Sequence, residues 1–212
     1  MPPVATPSER WLDGIVHVIS VALALAAVTT LLVRAVPIGD GAVIAAVTIY
    51  GLGLLASFGL SAAYNITWAP AWKARLRRLD HAAIFLLIAG TYTPFALVSL
   101  AGPVGYTLLA VVWTVAVGGL ALKLARPGRY ERLSLALYLA LGWTGLAAAG
   151  SLVAALPPAA LGLLLAGGIL YSAGVLFYVA KRLRFNRAIW HTFVLAAAVC
   201  HYVAVSESVF AG

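Results

Sequence analysis

Charge is what this sequence has least of. Only 9% of its 212 residues are charged, while 64% are hydrophobic and the mean hydropathy is +1.03. Soluble domains carry roughly 25% charged residues, so a water-soluble fold is excluded and the chain belongs in a bilayer. Alternating apolar and polar stretches are missing too. The hydrophobic runs are continuous and about twice the length of a barrel strand, which excludes a transmembrane β-barrel. Cysteine occurs once, at Cys200, so neither an intrachain disulfide nor a cysteine-built metal cluster can form. A net charge of +8 would suggest nucleic acid in a soluble chain. Here the basic residues punctuate apolar runs, so they report membrane topology, and a nucleic-acid partner is excluded. The opening stretch MPPVATPSERWLDG precedes a run that lacks the basic start and cleavage site of a secretory signal and is long enough to span.

What is present is apolar sequence in spanning lengths. A helix crosses the hydrocarbon core in about 20 residues. On that ruler the chain forms a single domain, an all-α bundle of seven transmembrane helices near residues 14–35, 42–66, 81–101, 104–124, 132–153, 159–180 and 189–209. The breaks carry turn chemistry: Pro37 to Gly41, the Pro70 region, Gly102-Pro103, Arg126-Pro127-Gly128 and Pro157-Pro158. Every basic residue except Arg34 lies before span one or in the loops two–three, four–five and six–seven, all on one side. The positive-inside rule then predicts a cytoplasmic N-terminus and an external C-terminus. Trp11, Trp68, Trp72 and Trp190 fall at the same cytoplasmic boundary, as an aromatic belt does, whereas Trp113 and Trp143 fall mid-span as packing residues. Gly51, Gly53, Ser57, Gly59 and Ser61 give span two a small-residue surface for close helix packing.

Ionisable groups inside a membrane are costly, so each is a functional candidate. Asp13 and His17 open span one, Ser61 and Asn65 close span two, Asp80 and His81 open span three, and Arg187 and His191 open span seven. All lie at the cytoplasmic end. Asp13/His17, Ser61/Asn65 and Arg187/His191 are each four apart, so each pair shares a helix face. Turned inward, these faces predict a polar pocket below the cytoplasmic surface. His201 lies about 15 Å deeper than His191 and is read as a hydrogen-bonded structural histidine, with Glu207 solvated near the outer end. In IAGTYTPF, Pro94 frees a backbone carbonyl and kinks span three, with Thr91 and Thr93 available to satisfy it.

The segment LRRLDHAAIFLLIAGTYTPF resembles the span-three signature of bacterial hemolysin III proteins, relatives of the progestin and adipoQ receptors. SAAYN (61–65) stands where that family has a serine-x-x-x-histidine motif, and RAIWHTFVLAAAVCHYVAV (187–205) resembles its last span. His17 coincides with a span-one histidine of the family. The resemblance implies a multi-pass protein of the bacterial cytoplasmic membrane whose partners are membrane lipids. It also implies a zinc site held by one span-two and two span-seven histidines, with serine and aspartate supporting a bound water. Ser61, Asp80 and His191 match that pattern, which makes Ser61 and Asp80 the candidate catalytic pair and His191 the candidate ligand. Asn65 and Arg187 replace the other two histidines.

A neutral amide is a poor zinc ligand, and a guanidinium repels a divalent ion. The first expectation is therefore a pocket without a cofactor, in which Arg187 pairs with Asp80 and hydrogen bonds to Asn65. The alternative is a zinc site rebuilt from His17, His81, Asp80 and His191. For function, the first expectation is a membrane-state sensing or homeostasis protein. The alternative is a metal-dependent lipid amide or ester hydrolase. Cytolysis, implied by the family name, requires a water-soluble state that the composition denies.

Overall fold

A computed structural model describes residues 6–126 and 128–210; the first five residues and Pro127, part of one expected break, lie outside the described residues. Eight α-helices follow one another: α1 (Pro7–Ala35), α2 (Gly41–Ile66), α3 (Pro70–Pro94), α4 (Pro103–Ala125), α5 (Glu131–Gly142), α6 (Ala149–Ala155), α7 (Pro158–Val179) and α8 (Asn186–Phe210). With α5 and α6 joined in one span, seven helical segments among the described residues are long and apolar enough to cross a membrane, as the sequence predicts. Val33, Leu52, Val117 and Leu176 are exposed on the outside of the bundle. That arrangement suits lipid, since helices satisfy their own backbone groups and hydrocarbon accepts apolar side chains.

Two helices begin well before the predicted spans. Thr6 and Glu9 form a reciprocal capping box, which starts α1 at Pro7. Pro70 starts α3, so the basic turn ARLRR is helical and Asp80 lies ten residues inside the helix rather than at its mouth. The charged turns extend the helices beyond the apolar ruler because hydropathy measures burial in lipid and says nothing of helix continuation into water.

Helices α8, α1, α2, α3 and α4 pack side by side in that order, and α7 packs on α8. Close approach between α2 and α3 depends on Gly53, where an added Cβ would stand 2.7 Å from the Leu86 carbonyl oxygen. Span five is the exception. It is the least buried of the seven, touches α3 and α4, and meets α7 through α6 and through the Trp143–Ser172 hydrogen bond. It is also discontinuous: a 3₁₀ turn at Thr144–Ala148 separates α5 from α6. The Tyr92 hydroxyl is inserted at this break, donating to the Gly142 carbonyl at 2.7 Å and accepting from the Gly145 N–H at 2.8 Å. Side-chain insertion of that kind is a recognised cause of helix breaks.

Span three continues past Pro94 as a wide π turn, Phe95–Ser99. Thr91 and Thr93 donate to the carbonyls of Leu87 and Ala89, not to that of Gly90, the one Pro94 frees. Trp113 and Trp143 are tied down as internal residues, their indole N–H groups donating to Thr93 and Ser172. Trp11, Trp68 and Trp72 are exposed, while Trp190 is half-buried against Tyr178.

Two apolar cores result. One joins α1, α2, α3, α7 and α8 around Leu31, Val47 and Tyr50; the other joins α3, α4 and α5 around Phe85, Val112 and Leu141. A cavity of about 590 Å³ lies between them, with Phe58 and Leu87 of the first core and Ile88 and Tyr138 of the second in its walls.

Candidate functional site

The polar end of this cavity is built from α1 and α8. Asp13 and His17, one turn apart on α1, face His191, one turn into α8. The His191 Nδ1–H donates to Asp13 Oδ1 at 2.6 Å, and His17 Nε2 lies 3.8 Å from the same oxygen. The two imidazole centroids are 4.3 Å apart. One ligating atom from each of the three residues lies within 4.8 Å of the others. Asp13 and His17 are buried, which in a membrane interior demands a partner for each charge or lone pair.

His17 Nε2 has no such partner: it is buried without a hydrogen bond. An orphaned imidazole nitrogen beside a carboxylate oxygen and a second imidazole is the donor set that zinc favours. The residues therefore fit a divalent metal, and Asp13, His17 and His191 are the ones that would hold it. This set differs from both sequence expectations. Asp13 would supply a carboxylate where the family resemblance implies a histidine, and from α1 rather than from span two.

Asp80, from α3, lines the same cavity as Ser61 of α2, and Ser61, Asp13 and His191 lie within electrostatic reach of it. The expected Asp80–Arg187 ion pair is not formed: no carboxylate lies within 4.0 Å of the Arg187 guanidinium among the described residues. Arg187 lies in the first turn of α8, exposed yet on the lining of the cavity. Asn65 donates to the Ser61 carbonyl at 2.9 Å, a bond back onto its own helix, and so does not meet Arg187. The pocket thus gathers His17, Ser61, Asp80 and His191, with Asn65, His81 and Arg187 also on its lining, while Asp13 lies behind it, bonded to His191.

His81 departs from the metal group altogether. Its Nδ1 lies 3.6 Å from Glu131, whose carboxylate also accepts from the buried Lys123 at 2.9 Å and lies 3.7 Å from Arg77. Adjacent helical residues point about 100° apart, so Asp80 and His81 serve different clusters. Sequence reasoning missed Glu131 and Lys123. The available signal was a lone acid eight residues beyond a lysine, across a turn, in an otherwise basic loop. His201, as expected, is a structural residue: its Nε2–H donates to the Leu164 carbonyl at 3.3 Å. Its ring also touches the far end of the cavity.

Fold and site together define a polytopic all-α membrane protein with a cluster of ionisable groups at one end of an internal apolar cavity. The family described as Haemolysin-III related matches residues 6–202. Hemolysin-3 of Bacillus cereus is 39% identical over 197 residues, covering 93% of this chain and 90% of that protein. The Hemolysin-3 homolog of Bacillus subtilis (strain 168) is 39% identical over 200 residues, 94% of each chain. The human monocyte to macrophage differentiation factor is 32% identical over 168 residues, 74% of this chain and 67% of its own. The chain belongs to the haemolysin-III family.

Proposed function

We propose that the protein binds an acyl lipid in this cavity and hydrolyses its amide or ester bond with the aid of a divalent metal held by Asp13, His17 and His191, in the bacterial inner membrane. The observation that carries the reading is the buried, unpartnered His17 nitrogen at the polar end of an otherwise apolar cavity. A volume of about 590 Å³ falls within the range of small-ligand sites. Leucine, tyrosine and phenylalanine walls suit a hydrocarbon chain. When bound, a divalent metal supplies a Lewis acid for a carbonyl oxygen and activates water.

The chain's own residues supply the rest. Asp13 orients His191 through the 2.6 Å hydrogen bond, which fixes the tautomer and leaves Nε2 free for a ligand. Asp80, steadied by Ser61, is the group positioned to take a proton from an attacking water. The apolar walls hold the acyl chain and exclude bulk water from the polar end. Detergent-solubilised protein should therefore release free fatty acid from a long-chain acyl amide or ester, and Asp80→Ala should lower the rate by about 10²-fold or more. No release under conditions where a control hydrolase is active would remove this reading.

A second reading, a protein that senses or maintains the state of the bilayer, is favoured by the broken span five, the least buried of the seven. A segment with few buried contacts opens at low free energy and can respond to its surroundings. A deletion strain with unaltered membrane fluidity and growth under membrane stress would count against it.

A further inference from the structure

Fourteen lysines and arginines occur in the chain, and three of them line the cavity: Arg77 from α3, Lys181 from the loop before α8, and Arg187 from the first turn of α8. They surround its rim on the basic face of the bundle. Their charge is poorly matched. Arg77 shares Glu131 with Lys123 and His81, and Lys123 holds that carboxylate most closely. Lys181 lies over the Tyr178 ring at 3.7 Å. Arg187 has no carboxylate within ion-pairing distance among the described residues. Burial, with Arg187 and Arg77 nearby, holds the Lys181 ammonium below the usual lysine range, and Glu131 only partly opposes this.

These three cations outnumber the two carboxylates on the same lining, Asp80 and Glu131, so the excess positive charge in a partly desolvated cavity favours a further anion. Below the rim the walls turn apolar and continue to His201, ten residues or about 15 Å beyond His191 along α8. The order along the axis is therefore cationic rim, metal-ligating group, hydrocarbon wall. Arg187 sits one turn, about 6 Å, outward of His191.

We infer that Arg77, Lys181 and Arg187 form a headgroup site that selects single-chain acyl lipids bearing a phosphate. This rests on the reading that the cavity takes an acyl lipid, and it adds the substrate class. A phosphate presents three acceptor oxygens and up to two charges, which matches two guanidinium groups and an ammonium better than a neutral headgroup does. The phosphate occupies the rim, the ester or amide carbonyl falls at the level of His191 and Asp80, and the chain fills the apolar part. Arg187, a poor residue for a metal site, has a use in this arrangement.

The test uses the full-length protein in detergent and three probes: 1-palmitoyl-glycerol-3-phosphate, 1-palmitoylglycerol and inorganic phosphate. Binding of the phosphate lipid should be about 10-fold tighter or more than that of the neutral lipid at physiological salt. Lys181→Gln with Arg187→Gln should reduce that preference to about 3-fold or less while leaving the neutral lipid unchanged. Arg187→Lys, which keeps the charge, should retain most of it, and so should Arg126→Gln with Arg132→Gln, whose side chains lie off the cavity. Thermal unfolding of each variant verifies the fold, and the charge-retaining variant keeps the test decisive if the double glutamine variant is unstable. Equal affinity of the two lipids for the wild type would overturn the headgroup site and leave the acyl reading standing. Binding of neither lipid would overturn both. A preference lost equally with Arg126 and Arg132, or displacement of the lipid by micromolar inorganic phosphate, would also overturn it, the first as a general surface potential and the second as a free-phosphate site.

Discussion

Asp13 and His191 are 178 residues apart in the chain and share a 2.6 Å hydrogen bond. In the sequence Asp13 already stood out, being four residues before His17 on an apolar helix, and the pocket expectation included both. What the spacing could not supply was the partner. Positions four apart define a face but not the helix that face meets, so Asp80 was assigned to Arg187 when its neighbour is Ser61. For His81 the same ambiguity ran the other way: its place beside Asp80 suggested one shared site, whereas the helical turn sends it to Glu131. That second cluster carries its own prediction. Lys123 is buried and its shortest contact is the Glu131 carboxylate at 2.9 Å. Glu131→Gln should destabilise the protein by about 1–3 kcal/mol, the cost of leaving a buried donor poorly satisfied. Thermal unfolding in detergent measures this, and an unchanged midpoint would mean that water serves Lys123 equally well.

The number of spans and the breaks between them were legible because hydrocarbon imposes a length on every span. Helix ends were less so: Thr6 with Glu9 extends α1, and Pro70 starts α3 through a basic turn, both by local capping chemistry that hydropathy ignores. The broken span five was not legible at all, since it depends on the Tyr92 hydroxyl reaching across from α3 to Gly142 and Gly145. Packing between α7 and α8 gives the sharpest test at this scale. An added Cβ at Gly167 would lie 2.3 Å from the His201 ring. Gly167→Ala should therefore cost about 1–3 kcal/mol through overpacking. His201→Ala removes the ring that an alanine at 167 would strike, so the double variant should be more stable than the sum of the single losses implies. Additive losses in that double-mutant cycle would show that the clash is relieved elsewhere.

At the scale of the whole molecule, charge asymmetry and the metal-ready group make separate claims. Glu9 accepts from the Phe185 N–H at 3.0 Å, which ties the start of span one to the loop before span seven. The basic loops thus share a face, while Arg34 bonds Ser206 at the other end. The positive-inside rule assigns the basic face to the cytoplasm. With Cys200 replaced by alanine, a cysteine introduced at Ile38 should react with an impermeant maleimide on intact cells, and one at Arg126 only after permeabilisation; the reverse pattern would invert the topology. We propose that two ligands from α1, Asp13 and His17, stand in for the histidines that the family resemblance places at 65 and 187, and with His191 hold a divalent metal beside the lipid cavity. Elemental analysis of protein purified from zinc-replete cells tests it most directly. About one zinc per chain is expected, lost on Asp13→Ala or His17→Ala and retained on Asn65→Ala. A wild-type protein that carries no divalent metal and takes up none on titration, or one whose zinc survives the loss of Asp13, would contradict it.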